Sequence, residues 1–143
     1  MNVNEIFSVL DVIEQSIKLA ELDTSAEFKV HIEKTCVGDP NIRAKYVFDQ
    51  LNLQNTKNRN AVLIYVAFES LKFSIIHDIG IEQQMNVQVQ EEAKRMLLNA
   101  LRDEKIAEGI MDTIQFLGKK IGQIFPFHPS DINELPDNIS VEH

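Results

Sequence analysis

Apolar residues recur at three- and four-residue spacing in several parts of the chain, and this spacing predicts amphipathic helices. The pattern predicts one helix over Asn4 to Leu22, another from about Val89 to Arg102, and a third that starts near Asp103 and ends at Gly122. A fourth helix should open at Pro40, because Asp39 can cap it and proline suits the first helical position. The chain is therefore rich in helix at both ends.

Three shorter segments have the patterns of β-strands. In the first, from Ala26 to Lys34, apolar residues alternate with polar ones, which predicts one buried and one solvated face. The second, Ala61 to Phe68, is apolar throughout, so it should lie in the middle of a sheet and be covered on both faces. The third, Phe73 to His77, follows after a short link and should form an antiparallel hairpin with the second.

These elements predict a three-layer α/β/α sandwich with a small mixed sheet, formed by a parallel pair and an antiparallel hairpin strand. A helix connects the first strand to the second, so this pair should be parallel with a right-handed crossover. The second strand belongs in the centre, which gives the spatial order 1-2-3. The chain should form one domain over residues 1–143, with an extended acidic tail from about residue 126.

Charge and composition weigh against several classes of function. The 143 residues carry 14 basic and 22 acidic side chains, a net charge of −8, which disfavours nucleic acid and anionic membrane surfaces and favours divalent cations as partners. No apolar stretch approaches the ~20 residues of a membrane span, so membrane insertion is not expected. Cys36 is the single cysteine, which excludes an intramolecular disulfide and favours a cytoplasmic location.

The predicted topology brings three polar segments to one edge of the sheet, where the first two strands begin and the third ends. The segments are Thr24–Glu27, Thr56–Asn60 and His77–Gly80. Their carboxylate and amide oxygens suit a hard divalent cation such as calcium. We therefore predict Asp78 and Glu27 as metal ligands, assisted by Asn60.

The residues of this edge also allow plainer interpretations. Asp78 precedes Ile-Gly and can be a turn former, because aspartate readily bonds its own backbone. His77 can be a solvated strand end. Arg59 and Lys57 can be ion-pair partners of the nearby acids, which at an exposed position contributes only ~0–1 kcal/mol.

The opposite edge of the sheet is a competing location. Ligands of open parallel sheets usually bind at the carboxyl ends of the strands, where Glu33, Asp39 and Glu69 are expected here. Asp39 is a competitor because it precedes a helix. His31 falls on the predicted solvated face of the first strand and should be an ordinary surface or partly packed histidine.

Four segments together resemble the TPM domain family, which includes thylakoid-lumen phosphatase-like proteins associated with photosystem II repair and many bacterial members. They are "TSAEFKVHIE", "RNAVLIYVA", "KFSIIHDIGI" and "FPFHPSDINELPDNIS". The resemblance extends from roughly Val9 to Ser140. It implies an α/β/α sandwich, in agreement with the pattern of apolar residues, and a stand-alone TPM-like domain.

Three functional hypotheses follow from the resemblance and the predicted edge. The first is a calcium-binding accessory domain for the maintenance of protein complexes, with Asp78, Glu27 and Asn60 as ligands. The second is an acid phosphatase, in which His77 or Asp78 is the general acid or base and Arg59 holds the phosphate. The third is a non-catalytic domain that binds a protein partner.

The chain departs from the family pattern at this same edge. The family commonly has glycine at three positions that are Ala26, Ala61 and His77 here, and glycine lets a ligand or backbone approach closely. These substitutions weigh against phosphatase activity. The charged and amide residues of the proposed ion site are retained.

Overall fold

The computed structural model describes residues 3–128 and 139–142, with side chains from residue 8 onward. In chain order the elements are α1 Val3–Ala20, β1 Glu27–Glu33, α2 Pro40–Gln50, a 3-10 turn Leu53–Asn55, β2 Ala61–Ala67, β3 Lys72–His77, α3 Ile79–Glu82, α4 Val87–Arg102, α5 Ile106–Ile121 and β4 Ser140–Glu142. The four predicted helices and three predicted strands are all present. The single turn of α3 and the short strand β4 were not predicted.

The sheet has the predicted mixture of parallel and antiparallel pairs. β1 and β2 are parallel, with Glu27 opposite Ala61, and β2 and β3 are antiparallel, with Val62 opposite His77. The order 1-2-3 is extended by one strand, because β4 pairs in parallel with the outer side of β1 over His31–Glu33. The observed order is β3-β2-β1-β4.

Helices cover both faces of the sheet, which confirms the three-layer sandwich. On one face α2 packs its Val47 and Phe48 against Leu63 and Tyr65 of β2. The other face carries α1, α4 and α5, which pack on the alternate residues of the same strands, such as Ile64. The doubly apolar pattern of β2 follows directly from this double coverage.

The expectation of a solvated face on β1 is wrong. Every residue of β1 is buried, including Lys29, His31 and Glu33. β1 is an internal strand because β4 lies on its outer side, and α2 reaches over the polar face, where Arg43 bonds Glu33. Buried polar groups need partners, so this face is organised by ion pairs and hydrogen bonds.

The extended tail predicted from about residue 126 falls mainly on residues 129–138, which lie outside the described residues. Beyond them the chain re-enters the sheet as β4. Among the described helices, none is both long and apolar enough to cross a membrane.

Candidate sites at the two edges of the sheet

The three polar segments predicted to converge do meet at the amino edge, which we define as the edge where β1 and β2 begin and β3 ends. The backbone N–H of Glu27 donates to the carbonyl of Asn60 over 3.2 Å. The backbone N–H of Gly80 donates to the carbonyl of Arg59 over 2.9 Å. The segments before β1, before β2 and after β3 are therefore fixed to one another by main-chain bonds.

Arg59 and Asp78 form a two-pronged ion pair at the amino edge. Arg59 Nε donates to Asp78 Oδ2 over 2.7 Å, and Arg59 Nη2 donates to Asp78 Oδ1 over 2.8 Å. The backbone N–H of Ile79 also donates to Asp78 Oδ1, over 2.8 Å, so Asp78 caps α3. Asp78 is thus both a turn-forming residue and the charged partner of Arg59, whose own backbone is left-handed at φ +50°.

The two predicted carboxylate ligands lie in one row across the sheet. Glu27 is opposite Ala61, and the backbone N–H of Asp78 donates to the carbonyl of Ala61 over 2.9 Å. Glu27, Asn60 and Asp78 are all buried, and Asn60 Nδ2 donates to the carbonyl of Ser25 over 3.3 Å. With strands ~4.8 Å apart, the outer Cα atoms of the row are about 10 Å apart, and the small side chain of Ala61 lies between them.

His77, predicted as a catalytic candidate, lies apart from this row. Adjacent strand residues point to opposite faces, so His77 shares its face with Phe73 and Ile75, which pack in the core with α4. Its Nε2 is buried and has no hydrogen-bond partner among the described residues. Burial, with a smaller contribution from nearby Lys94, lowers the pKa of His77 to about 4.

A second polar cluster lies at the carboxyl edge, where β1 and β2 end. We call His31, Glu33, Arg43, Tyr65 and Glu142 the carboxyl-edge cluster. Arg43 Nη2 donates to Glu33 Oε1 and to Glu142 Oε2, each over 2.7 Å, and Arg43 Nε donates to Glu33 Oε2 over 2.9 Å. The Tyr65 hydroxyl donates to Glu33 Oε2.

His31, on β1, contacts both Glu33 and the β4 residue Ser140. Its Nε2 lies 3.3 Å from Glu33 Oε1, and its Nδ1 lies 2.8 Å from the hydroxyl of Ser140. The ring stacks on Tyr65 with centroids 6.0 Å apart. One ligand atom from each of His31, Glu33 and Glu142 lies within 4.8 Å of the others, a group of metal-ligating side chains that is compact enough for one cation.

Burial and pairing set the ionisation of the carboxyl-edge cluster. Burial alone would raise the pKa of Glu33, but the hydrogen bonds from Arg43 and Tyr65 outweigh it and lower the pKa to about 2. Burial raises the pKa of Tyr65, and its bond to Glu33 adds to that. Burial lowers the pKa of His31 against the opposing pull of Glu33. The cluster therefore combines an ionised carboxylate with a neutral imidazole near neutral pH.

The carboxyl-edge cluster opens to solvent through a cavity of about 250 Å³, lined in part by Glu33, Arg43 and Glu142. Of the three acids that the sequence places at this edge, Glu33 belongs to the cluster, whereas Asp39 and Glu69 have other roles. Asp39 caps α2 by accepting from the backbone N–H of Asn41 over 2.8 Å, and Glu69 forms an exposed ion pair with Lys34.

The sequence places Glu33 at this competing edge, but it does not predict the cluster of side chains around Glu33. His31 and Glu33 are two residues apart on a strand and must share a face. The alternating pattern predicts that this face is solvated, because neither the helix that covers it nor β4 beside it can be inferred from β1 alone. Glu142 comes from β4 and is more than one hundred residues away in sequence.

Comparison with known proteins gives a family match and two similar structures. The family model described as the TPM domain matches residues 7–120. The NMR structure of BA42 protein from the psychrophilic bacterium Bizionia argentinensis has a TM-score of 0.88 and 35% identity, over 94% of this chain and 93% of that chain. The NMR structure of the N-terminal domain of cg2496 protein from Corynebacterium glutamicum has a TM-score of 0.57 and 14% identity, over 100% of this chain and 81% of that chain, a likeness of fold alone.

Among proteins with curated descriptions, none matches this chain. The family match includes all three amino-edge segments and most of the carboxyl-edge cluster. It ends before β4, which supplies Ser140 and Glu142.

Proposed function

Since the chain belongs to the TPM domain family, we propose that it is a cytoplasmic, divalent-cation-binding accessory domain in which the amino edge holds calcium. The observation that carries the proposal is the convergence of three separate segments there, joined by main-chain bonds. Two buried carboxylates, Glu27 and Asp78, lie in one row at this edge. A cation between them would bring carboxylate oxygens of both residues to one ion, with Asp78 shared between the ion and Arg59.

The oxygen chemistry of the amino edge fits a hard cation. Calcium takes carboxylate, amide and backbone carbonyl oxygens, and Glu27, Asn60 and Asp78 offer the first two kinds. A carboxylate has about four lone-pair positions, and Asp78 uses three of them for Arg59 and for the N–H of Ile79. Asp78 can therefore bind calcium only through Oδ2 while Arg59 stays in place. For this reason we expect a dissociation constant for calcium in the millimolar range.

Calcium titration should perturb backbone amides in Thr24–Glu27, Thr56–Asn60 and His77–Gly80, because these segments would surround the ion. The measurement is a series of ¹H–¹⁵N NMR spectra up to several millimolar calcium. Asp78→Asn and Glu27→Gln should each weaken binding by about tenfold, since each removes a charged ligand.

Glu82→Gln is the matched control for this titration. Glu82 is an exposed acid in the adjacent α3, so its loss changes net charge equally and should leave binding unchanged. The proposal fails if wild-type protein shows no amide shifts in these segments, or if both ligand variants, shown to be folded by their spectra, bind calcium like the wild type.

A second candidate is an acid phosphatase at the same edge. The observation in its favour is that the Arg59 side chain stays 50% exposed while it pairs with Asp78, so the guanidinium is accessible to a phosphate. Against it, the Asp78 oxygens are largely occupied and His77 faces the core. General acid–base catalysis needs a proton-transfer group within reach of the substrate.

We expect purified protein to show no hydrolysis of an aryl phosphate at mildly acidic pH, with or without calcium. Colorimetric release of the phenol measures this directly. Hydrolysis that is lost in both Arg59→Ala and Asp78→Asn would instead establish the phosphatase and displace the accessory role.

An accessory role also implies a protein partner, which co-purification with and without the acidic segment from Asp131 would reveal.

A further inference from the structure

We propose that the carboxyl-edge cluster is a second metal site, in which His31, Glu33 and Glu142 bind a first-row divalent transition metal in exchange with Arg43. This inference is independent of the calcium proposal, because it uses different residues at the opposite edge of the sheet. Here the carboxyl ends of the parallel strands β1 and β2 meet, where open sheets usually bind ligands.

The spacing of the ligand atoms fits one metal ion. Two ligands bound to one zinc ion at ~2.0–2.1 Å with tetrahedral angles lie about 3.3 Å apart. His31 Nε2 and Glu33 Oε1 are 3.3 Å apart, and an oxygen of Glu142 completes a triangle whose members are all within 4.8 Å of one another. Glu142 is the exposed ligand of the three, since its side chain is 57% exposed, against 6% for Glu33.

Neighbouring groups hold the imidazole in a ligating orientation. His31 Nδ1 lies 2.8 Å from the Ser140 hydroxyl, and a hydroxyl can either donate or accept. The neutral ring can therefore carry its proton on Nδ1 and donate a hydrogen bond from Nδ1–H to the Ser140 hydroxyl. The lone pair of Nε2 then faces a metal without rotation of the ring. Metal-bound histidines commonly donate their other N–H to such a partner. Stacking on Tyr65 restricts the ring further.

Arg43 occupies the position that a metal would take. Its Nη2 donates to Glu33 Oε1 and to Glu142 Oε2, each over 2.7 Å, and these are oxygens of two metal-ligating groups. Two carboxylates and one guanidinium leave a charge of −1. Because Nη2 contacts the carboxylate oxygens that would bind the metal, a divalent ion must displace Nη2. The bond from Arg43 Nε to Glu33 Oε2 can persist. Arg43 acts as a built-in competitor that lowers the affinity for metal.

The mixed donor set identifies the class of metal. Imidazole nitrogen suits zinc, copper, iron and nickel, whereas magnesium and calcium prefer oxygen alone. One imidazole and two carboxylates, with a solvent cavity of about 250 Å³ beside them, resemble an open three-ligand zinc site more than a closed structural one. Zinc is accordingly the probe, with calcium as the comparison.

The test is zinc titration of tag-free, full-length protein by calorimetry, together with the ¹⁵N shift of His31 Nε2, which reports direct coordination. We expect one zinc per chain and a large shift at Nε2. Glu142→Gln should weaken binding by about tenfold or more. Arg43→Gln should tighten binding by about tenfold or more, because the competing charge is gone.

Glu69→Gln is the matched control, because Glu69 is an exposed acid near the same edge that pairs with Lys34 outside the cluster. It should bind zinc like the wild type. An unmoved His31 Nε2 signal at saturating zinc, or equal affinities in wild type and Glu142→Gln, would overturn the site. Unchanged or weaker binding in Arg43→Gln would overturn the exchange with Arg43.

Discussion

Gly80→Ala is expected to lower the free energy of unfolding by at least about 2 kcal/mol. A Cβ on Gly80 would lie 2.2 Å from the carbonyl oxygen of Asn58 and 2.7 Å from that of Arg59. Both atoms belong to the backbone, so neither can move aside as a side chain could. Urea denaturation followed by circular dichroism gives the change.

Ile79→Ala is the control for this substitution, since Ile79 lies in the same turn and is 49% exposed. Ile79→Ala should lower the free energy of unfolding by well under half as much as Gly80→Ala does. If Gly80→Ala were no more destabilising than Ile79→Ala, the close approach of the Thr56–Asn60 segment to α3 would be wrong. The geometry of the amino edge would then need revision.

Acidification from about pH 7.5 to about pH 5 is expected to lower the free energy of unfolding by about 2 kcal/mol through His77. Burial lowers the pKa of His77 from its usual 6.5 to about 4 in the folded protein. At a pH between these two pKa values, His77 takes up a proton in the unfolded chain but stays neutral in the folded chain. Stability is therefore full above pH 6.5 and declines as the pH falls towards 4.

His77→Leu separates this contribution from the rest of the pH dependence. Burial also lowers the pKa of His31, so a smaller decline in the same direction should persist in the variant. The measurement is chemical denaturation of both proteins across this pH range. A pH dependence in His77→Leu equal to that of the wild type would contradict the assignment to His77.

The sequence predicted the helices, the three main strands and their pairing because each depends on a local pattern. The all-apolar run Ala61–Phe68 requires coverage on both faces, and a helix between β1 and β2 requires a parallel pair. The antiparallel hairpin of β2 and β3 then brings Asp78, which follows β3, to the edge where Arg59 precedes β2. An ion pair of Arg59 with a nearby acid was one of the plainer interpretations that the sequence allows, and Asp78 is that acid.

The carboxyl-edge cluster could not be predicted, because it depends on contacts that leave no local pattern. The β4 segment is three residues long, and nothing in its composition distinguishes it from the acidic tail. An alternating strand such as β1 normally has one face in water. Here β4 and Arg43 of α2 cover that face, so His31 and Glu33 are buried rather than solvated.

Both edges of the sheet share one electrostatic arrangement, in which an arginine pairs with a buried carboxylate that is also a candidate metal ligand. Arg59 holds Asp78, and Arg43 holds Glu33. Removing either arginine would leave its buried carboxylate without its charged partner. A cation that enters either edge must therefore share or displace a guanidinium, which explains why modest affinity is expected at both.

A crystal structure of protein crystallised in calcium tests the central claim most directly, namely that the amino edge is a cation site. We expect density for an ion with oxygens of Glu27 and Asp78 at ~2.3–2.6 Å, and with Arg59 shifted to a single bond with Asp78. The contrary result is a fully two-pronged Arg59–Asp78 pair with no ion beside it at saturating calcium.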